Sequence, residues 1–212
     1  MPTSVEICLC SRDGRFDRDV MVAAEAACVC AANHGIGCEL AVAVDQYGVA
    51  PVRNRGTAAF LSRDHGYLLF VDDDVILPEA AVALLSQAAT RHPGDLIGGC
   101  VPSLLDGCRP YVQVAPVGGM GWLHEWPESD VEAERIGGGC MLIPRGLFSL
   151  VGCPWFRWLE RYVEGKGLRA LSEDADFCNR VREGGRRVWA TGAVRCGHKK
   201  QIDVATLIGG EM

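Results

Sequence analysis

Three adjacent carboxylates that follow an apolar run are the residues whose type and spacing best suit a chemical site. The run Tyr67-Leu68-Leu69-Phe70-Val71 leads directly into Asp72-Asp73-Asp74, and such a run predicts a buried strand. Alternate residues of an extended segment point the same way, so Asp72 and Asp74 share one face and Asp73 takes the other. Carboxylates this close repel each other unless a cation offsets them, and oxygen ligands suit Mg²⁺ or Mn²⁺. A solvated acidic turn before the next helix is the alternative.

A second acidic group lies in the last quarter of the chain. Ser172 precedes Glu173 and Asp174, which predicts a helix with a capping serine and acids in its first turn. Consecutive helical residues point about 100° apart, so we expect only one of the two acids to face a given atom. Asp176, in the same turn, is expected to be structural.

The elements that must position these acids alternate between strand and helix over the first hundred residues. Strands are predicted at 5–10, 40–44, 67–71 and 96–100, and helices at 20–32, after Pro51 and from Pro78 to Ala89. This β-α-β alternation predicts an α/β fold with a mostly parallel, Rossmann-like sheet and right-handed crossovers. Ligands bind at the carboxyl ends of the strands in such sheets, where Asp72 to Asp74 lie.

The second half of the chain is less regular. A strand is expected at 111–114, a mobile loop at 118–130 with Trp122 and Trp126, and short strands at 188–190 and 193–196 ahead of His198. The segment 136–143 is rich in glycine and then apolar and strand-like. The glycines fit either close approach of a ligand to the backbone or a plain β-bulge. We predict one domain with two lobes, 1–100 and 101–212.

Composition describes an ordinary globular chain. Of its 212 residues 49% are hydrophobic and 23% are charged, and the net charge of −6 argues against nucleic-acid binding. The eleven cysteines are odd in number and include no C-x-x-C pair, which favours free thiols over disulfides or a zinc site. No apolar run is long enough to span a membrane and the first residues lack a signal peptide, so a cytoplasmic protein is expected. A late basic cluster is either an anion site or a solvated face, and comprises Arg180, Arg182, Arg186, Arg187, Arg195, Lys199 and Lys200.

The order of these segments resembles a known family. Gly48-Val49-Ala50-Pro51-Val52-Arg53-Asn54-Arg55-Gly56, then Phe70-Val71-Asp72-Asp73-Asp74, and later Ser172-Glu173-Asp174 follow one another as in family 2-type glycosyltransferases of the GT-A fold. Gly137-Gly138-Gly139-Cys140 and Pro154-Trp155-Phe156 resemble the intervening segments of small bacterial and phage members. Val52 stands where the family usually has alanine.

The resemblance implies a function and a role for each matching residue. It implies a GT-A fold and a metal-dependent, inverting transferase that moves a sugar from a nucleotide diphosphate-sugar to a hydroxyl of a saccharide, a protein or a modified nucleic acid. Mn²⁺ or Mg²⁺ would be held by Asp72, Asp74 and His198. Asp174 would be the general base, with Glu173 orienting the acceptor or the helix end. Lobe 1–100 would bind the nucleotide-sugar through Ser11, Asp45, Arg53, Asn54, Asp72 and Asp73, with Arg53 at the diphosphate or the base. Lobe 101–212 would bind the acceptor.

Two other functions fit the same fold. A sugar-phosphate nucleotidylyltransferase would need a glycine-rich phosphate loop with an arginine after the first strand, and Ser11-Arg12-Asp13-Gly14 supplies it poorly. A non-catalytic sugar- or nucleotide-binding protein would not need the acids at Asp72, Asp74, Glu173 and Asp174.

Overall fold

The computed structural model describes residues 4–103, 109–114, 121–164 and 167–199. Within these ranges five helices form: α1 Arg18–Asn33, α2 Val49–Leu61, α3 Ala81–Arg91, α4 Arg145–Val151 and α5 Glu173–Glu183. The strands of the same ranges are β1 Ser4–Ser11, β2 Gly37–Val44, β3 Tyr67–Asp72, β4 Val75–Ile76, β5 Leu96–Cys100, β6 Pro102–Ser103, β7 Arg109–Pro110, β8 Val112–Val114, β9 Gly121–Trp122, β10 Asp130–Ala133, β11 Arg135–Ile136, β12 Cys140–Pro144, β13 Leu159–Val163, β14 Gly167–Leu171, β15 Val188–Arg195 and β16 Gly197–His198.

A seven-stranded sheet with the order β10-β15-β5-β12-β3-β1-β2 forms the centre of the molecule. The pairs β1–β2, β1–β3 and β5–β15 are parallel, whereas β12 and β10 run antiparallel to their neighbours. The predicted α/β fold with a mostly parallel sheet is therefore confirmed. The four early strands do not form one continuous parallel sheet, because β12 from the second half lies between β3 and β5.

Apolar residues on both faces of the sheet explain why the helices lie where they do. On one face, alanines of α1 such as Ala24 and Ala27 pack with α3 against Ile7 and Leu9 of β1. On the other face, aromatic residues of α2, α4 and α5 pack against Phe70 of β3. Because both faces of β3 are covered, its residues 68–71 are fully buried, and its polar end emerges only at the carboxyl edge.

Some boundaries differ from the predicted ones. Helix α3 begins at Ala81 rather than Pro78, and the Ala81 N–H donates to the Pro78 carbonyl in the turn before it. The two short strands predicted at 188–190 and 193–196 are one strand, β15, with a register shift between Thr191 and Arg195. Within the predicted loop 118–130, residues 121–122 form β9 and pair with β8, while Gly118 and Gly119 lie outside the described residues.

The late basic cluster is largely neutralised by acids from distant parts of the chain. Arg182 pairs with Glu134, Arg187 with Glu132, and Lys199 with Asp17 and Asp19. These contacts favour the solvated-face interpretation over an anion site; Lys200 lies outside the described residues. The ten cysteines in the described ranges carry free thiols, as predicted. Among the described helices, none has the length and apolar character needed to cross a bilayer.

Candidate active site

The carboxylates at the end of β3 lie at the carboxyl edge of the sheet, beside the end of β1. Asp72 is paired in register with Cys10, and the Asp73 N–H donates to the Cys10 carbonyl at 3.1 Å. Burial, together with the neighbouring carboxylates of Asp74 and Asp72, raises the pKa of Asp73. The three acids thus form a concentrated negative group that a cation would stabilise.

Arg53 of α2 joins the two acidic groups that the sequence separates. Its side chain is 2% exposed, one guanidinium nitrogen lies 2.8 Å from Asp72 Oδ1, and another pairs with Glu173 Oε1. Although burial lowers the pKa of Arg53, the carboxylates of Asp72 and Glu173 outweigh it and raise the pKa overall, so the guanidinium stays charged. Burial raises the pKa of Glu173, and Arg53 opposes that effect.

This geometry bears on the predicted roles of Arg53. We expected the guanidinium to contact the diphosphate or the nucleobase, but it is enclosed and engaged by two protein carboxylates. A direct contact with the donor would require one of these ion pairs to open. In the present arrangement Arg53 positions Asp72 and Glu173 relative to each other.

The glycines before β12 provide the space that Arg53 and Asp72 occupy. A β-carbon at Gly138 would overlap the Arg53 guanidinium, and one at Gly139 would lie 3.2 Å from Asp72 Oδ2 and 3.0 Å from Val75. These contacts are with side chains of the protein itself, and the close approach of a ligand expected for this segment stays a prediction. The glycines allow the backbone to pass close to the buried ion pair.

Asp74 and His198 face each other across β4 and β16, which pair through Val75 and His198. His198 Nδ1 lies 2.7 Å from the Pro102 carbonyl, so it is the protonated nitrogen, and Nε2 lies 3.4 Å from Asp74 Oδ1. Ligating histidines commonly donate their second nitrogen to a carbonyl in this way. The pair could therefore supply two ligands to a divalent cation. Within the described residues, no group of three His, Cys, Asp or Glu side chains is arranged as a complete metal site.

The residues predicted to contact the nucleotide lie at the ends of β1 and β2. The Asp45 N–H donates to the Ser11 carbonyl at 3.3 Å, which brings these two residues together. The Asp45 carboxylate accepts hydrogen bonds from Arg55 at 2.9 Å and from the Tyr47 N–H at 3.0 Å. Ser11 is buried, and its hydroxyl donates to the Arg15 carbonyl at 3.0 Å. Arg55, although 67% exposed, therefore has a specific partner.

Asn54, also predicted to contact the donor, uses both ends of its amide on the protein backbone. Its Nδ2 donates to the Phe156 carbonyl at 2.8 Å, and its Oδ1 accepts from the Phe156 N–H at 3.0 Å. Phe156 in turn stacks on Phe177 of α5 with ring centroids 4.6 Å apart. Asn54 thus connects α2 to the segment that supports α5.

Asp174 lies in the first turn of α5, directly after Glu173. Its Oδ2 accepts from the Gly138 N–H at 3.2 Å, and its Oδ1 accepts from the Ala175 N–H at 2.7 Å and from the Ser172 hydroxyl. Ser172 occupies the N-cap position, but its hydroxyl bonds to Asp174 instead of capping the backbone. A cavity of about 180 Å³ adjoins Asp174, and its walls include Tyr111, Gln113, Trp122, Arg135, Ile136, Ala170, Leu171 and Ser172.

Asp176, the third acid of this turn, is 5% exposed and holds two arginines. Arg157 donates two hydrogen bonds to its carboxylate, at 2.9 and 3.0 Å, and Arg180 lies 2.9 Å away. This accords with the structural role expected for Asp176. Arg135 and Tyr111, by contrast, line the cavity and were not predicted as site residues. The position of Arg135 directly before the glycine-rich segment was the available signal.

Comparison with known proteins identifies the fold. No protein-family model matches the sequence, and no curated protein sequence matches it. The solved structure of A197 from STIV is similar with a TM-score of 0.64 and 18% identity, over 93% of this chain and 86% of that one. GalNAc-T7, solved with UDP, GalNAc and Mn²⁺, is similar with a TM-score of 0.60 and 10% identity, over 95% of this chain and 44% of that one. The fold is that of GT-A glycosyltransferases. At these identities the likeness concerns the fold alone.

Proposed function

We propose that this protein is a metal-dependent, inverting glycosyltransferase that uses a nucleotide diphosphate-sugar and a hydroxyl acceptor. The observation that carries the proposal is the Arg53 ion-pair link, in which one guanidinium holds both Asp72 at the end of β3 and Glu173 at the start of α5. This link brings the two acidic groups of the sequence together, which supports a single site. The fold shared with GalNAc-T7, whose structure contains UDP and Mn²⁺, supports the donor class.

The donor set suits a divalent cation of the Mn²⁺ or Mg²⁺ type. Asp74 and His198 Nε2 would hold it, and Oδ2 is the Asp72 oxygen that could join them, because Asp72 Oδ1 is already paired with Arg53. A cation there offsets the charge of the diphosphate leaving group. Asp45, Ser11 and Asp73, at the ends of neighbouring strands, would line the nucleotide side of the site.

In this proposal Asp174 is the general base that accepts the proton. Direct displacement at the anomeric carbon needs a base that removes the acceptor hydroxyl proton on the side opposite the diphosphate. Asp174 adjoins a cavity, whereas Glu173 is buried against Arg53, so Asp174 is the acid that an acceptor could reach. Glu173 would keep the first turn of α5 in place through its ion pair.

A panel of nucleotide diphosphate-sugars, incubated with Mn²⁺ and with a chelator, tests the proposal. We expect one or a few donors to be hydrolysed slowly without acceptor, only in the presence of the cation, and to bind by calorimetry under the same conditions. Asp74→Asn should abolish the cation-dependent binding, while Asp64→Asn, which changes an exposed acid, should leave it intact. Equal binding with and without chelator would remove the metal from the proposal. Binding without any turnover would favour the non-catalytic alternative.

A further inference from the structure

The cavity beside Asp174 carries a positive charge that the proposed reaction has not used. Arg135, at the start of β11, is part of the cavity wall. Its Nε donates to Asn179 Oδ1 at 3.2 Å, and a second nitrogen donates to Gln113 Oε1 at 3.4 Å. Both partners are neutral amides, so they orient the guanidinium without compensating its charge.

The neighbouring arginines on this side of the molecule are in a different situation. Arg157 has Asp176 as a partner, and Arg182 has Glu134. Among the residues that the structure describes, Arg135 has no carboxylate within 4.0 Å; Asp174 shares the cavity but lies beyond that distance. A half-buried arginine that is held in place without an acid is suited to bind an anionic group of a ligand.

The size and the walls of the cavity restrict the ligand further. A volume of about 180 Å³ corresponds to that of roughly six water molecules in the liquid, so the cavity suits one small ring. The rings of Tyr111 and Trp122 are 4.6 Å apart and form an aromatic wall. Aromatic side chains with a polar end are common in sites that bind partly apolar, partly polar ligands.

We propose that the acceptor is an anionic sugar, a uronate or a sugar phosphate, whose charged group binds Arg135 while a hydroxyl faces Asp174. This inference rests on the proposed glycosyltransferase function and names the acceptor class for the same site. Helix α5 connects the two interactions, because Asp174 is in its first turn and Asn179, which orients Arg135, lies further along it. The helix therefore fixes the separation between the Asp174 carboxylate and the Arg135 guanidinium.

Binding of small probes to the apo protein tests the assignment without a donor. Methyl glucuronide, glucose 6-phosphate and neutral methyl glucoside are titrated, and NMR shifts of the Trp122 indole are followed. We expect at least one anionic probe to bind about tenfold or more tightly than the glucoside, as for a charge-assisted hydrogen bond, and the comparison of the two anions distinguishes carboxylate from phosphate. Arg135→Gln should reduce the affinity for the anionic probe to that for the glucoside. Arg182→Gln, which changes an arginine already paired with Glu134, should have no effect.

Three results would overturn the inference: equal affinity for charged and neutral probes, anion binding that survives Arg135→Gln, or no binding of any probe at the indole. Metal-dependent donor binding is measured in parallel on the same samples. If donors bind but anions show no preference, only the acceptor assignment fails. If anions bind at Arg135 but no donor binds, the proposed function fails and the anion site remains.

An independent observation concerns two thiols at the opposite face of the sheet. Cys28 of α1 and Cys38 of β2 are both half-buried, and their Sγ atoms are 3.0 Å apart. The hydrogen bond from Cys38 lowers the pKa of the Cys28 thiol, while the same contact raises that of Cys38. Cys28 is thus the thiol with more thiolate character, and Cys38 is its direct neighbour.

We infer that this pair is a site of reversible oxidation by hydroperoxides. The Cys28 thiolate attacks peroxide and becomes a sulfenic acid with release of hydroxide, and the Cys38 thiol then displaces water to give a Cys28–Cys38 disulfide. The overall reaction consumes two thiols and one hydrogen peroxide and yields one disulfide and two waters. The product would join α1 covalently to the edge strand β2.

Peptide mapping after limited hydrogen peroxide treatment tests this inference. We expect one disulfide, between Cys28 and Cys38, seen as the loss of two hydrogen atoms from the peptide that contains both cysteines and recovered on reduction. Cys28→Ser should abolish the link. Cys30→Ser, which changes a thiol on the same helix that contacts His34, should retain it. Sulfinic acid at Cys28 without a disulfide, or a link between other cysteines in the wild type, would refute the inference.

Discussion

At the scale of single residues, the site depends on the space that Gly138 leaves for Arg53. Gly138→Ala should expel the guanidinium, because the new methyl group would overlap it, and leave Glu173 buried without its partner. Breaking a buried ion pair in this way costs about 3–5 kcal/mol. We therefore expect the free energy of unfolding, measured in urea, to fall by about that amount, and metal-dependent donor binding to weaken.

Gly146→Ala is the matched control, since this glycine lies in α4 and a β-carbon there meets no atom within 4 Å. Alanine is favoured over glycine in a helix by up to about 1 kcal/mol, so the control should be neutral or slightly more stable. If the two alanine variants have the same free energy of unfolding and the same donor binding, the space that Gly138 leaves for Arg53 is not needed for the ion pairs.

Asparagine substitutions at Asp174 and Asp176 should have different effects, the first on turnover and the second on stability. Asp174→Asn keeps the shape and removes the base, so transfer should fall by about 10²–10⁴-fold with donor affinity nearly unchanged. Asp176→Asn removes the buried partner of Arg157 and Arg180 and should instead lower the free energy of unfolding by about 3 kcal/mol. Steady-state kinetics and urea titration of both variants check this. Normal transfer by the Asp174 variant would leave the general base unassigned.

His198→Ala should weaken cation-dependent donor binding, because Nε2 is directed at Asp74. His34, whose ring contacts the Cys30 carbonyl on the surface, is a suitable control, and His34→Ala should leave calorimetric titrations with Mn²⁺ unchanged. His92 is unsuitable, since it pairs with Asp130 and stacks on Trp189, so its removal would disturb the fold. Unaltered binding by the His198 variant would exclude this residue as a ligand.

Sequence reasoning selected the acids and the histidine of the candidate site, which stay predictions, and it expected donor contacts from Arg53 and Asn54, which the structure engages with protein groups. The types and spacing of Asp72 to Asp74 and of Glu173 and Asp174 indicate chemistry without knowledge of their surroundings. Which carboxylate an arginine meets depends on strands and helices far apart in the chain, here 120 residues for Arg53 and Glu173. Such a pairing has no local signal, and the same holds for Asn54 and Phe156.

At the scale of elements, Asp130 joins the edge strand β10 to the end of α3. It accepts from Arg91 at 2.9 and 3.1 Å and contacts His92 at 2.9 Å. Burial alone would raise the pKa of Asp130, but the hydrogen bonds from Arg91 and His92 outweigh it and lower the pKa below the ordinary 3.8. The carboxylate therefore stabilises the fold above the ordinary pKa, and this contribution is lost as the pH falls through the lowered folded value.

Asp130→Asn should thus cost about 1–2 kcal/mol at neutral pH, and the difference from wild type should shrink in strong acid. Urea unfolding at neutral pH and below pH 3.8 measures it. Glu164→Gln, at an exposed position, provides the comparison. A difference that is constant across this range would mean that the Asp130 charge does not stabilise the contact.

The strands themselves were predictable where an apolar run was bounded by polar residues, as at 67–71 and 96–100. Strand β12 was also expected from its apolar run, but its place between β3 and β5 was not. Every residue of β12 is buried, so its pattern indicates a central strand without indicating its neighbours. Neighbours are set by tertiary packing, which local periodicity does not encode.

At the scale of the whole molecule, the regular alternation of elements was enough to predict the α/β class, and the order of the acidic segments was enough to suggest the GT-A fold. The structure and its likeness to GalNAc-T7 confirm the fold. The donor, the cation and the acceptor are proposals that rest on the side chains of the site, because one fold supports many chemistries.

The central position of β12 has a consequence for folding. The segment 1–100 contains β3 and β5 but lacks their neighbours β12 and β15. As a nascent chain it would therefore expose one edge of β3 and both edges of β5 with unpaired N–H and C=O groups. Strands far apart in the sequence pair slowly, because the entropy lost on closing the loop precedes the contacts that offset it. The proposed nucleotide lobe would therefore become stable only after 140–144 has been synthesised and inserted, and ribosome-bound intermediates shorter than that would depend on protection from aggregation.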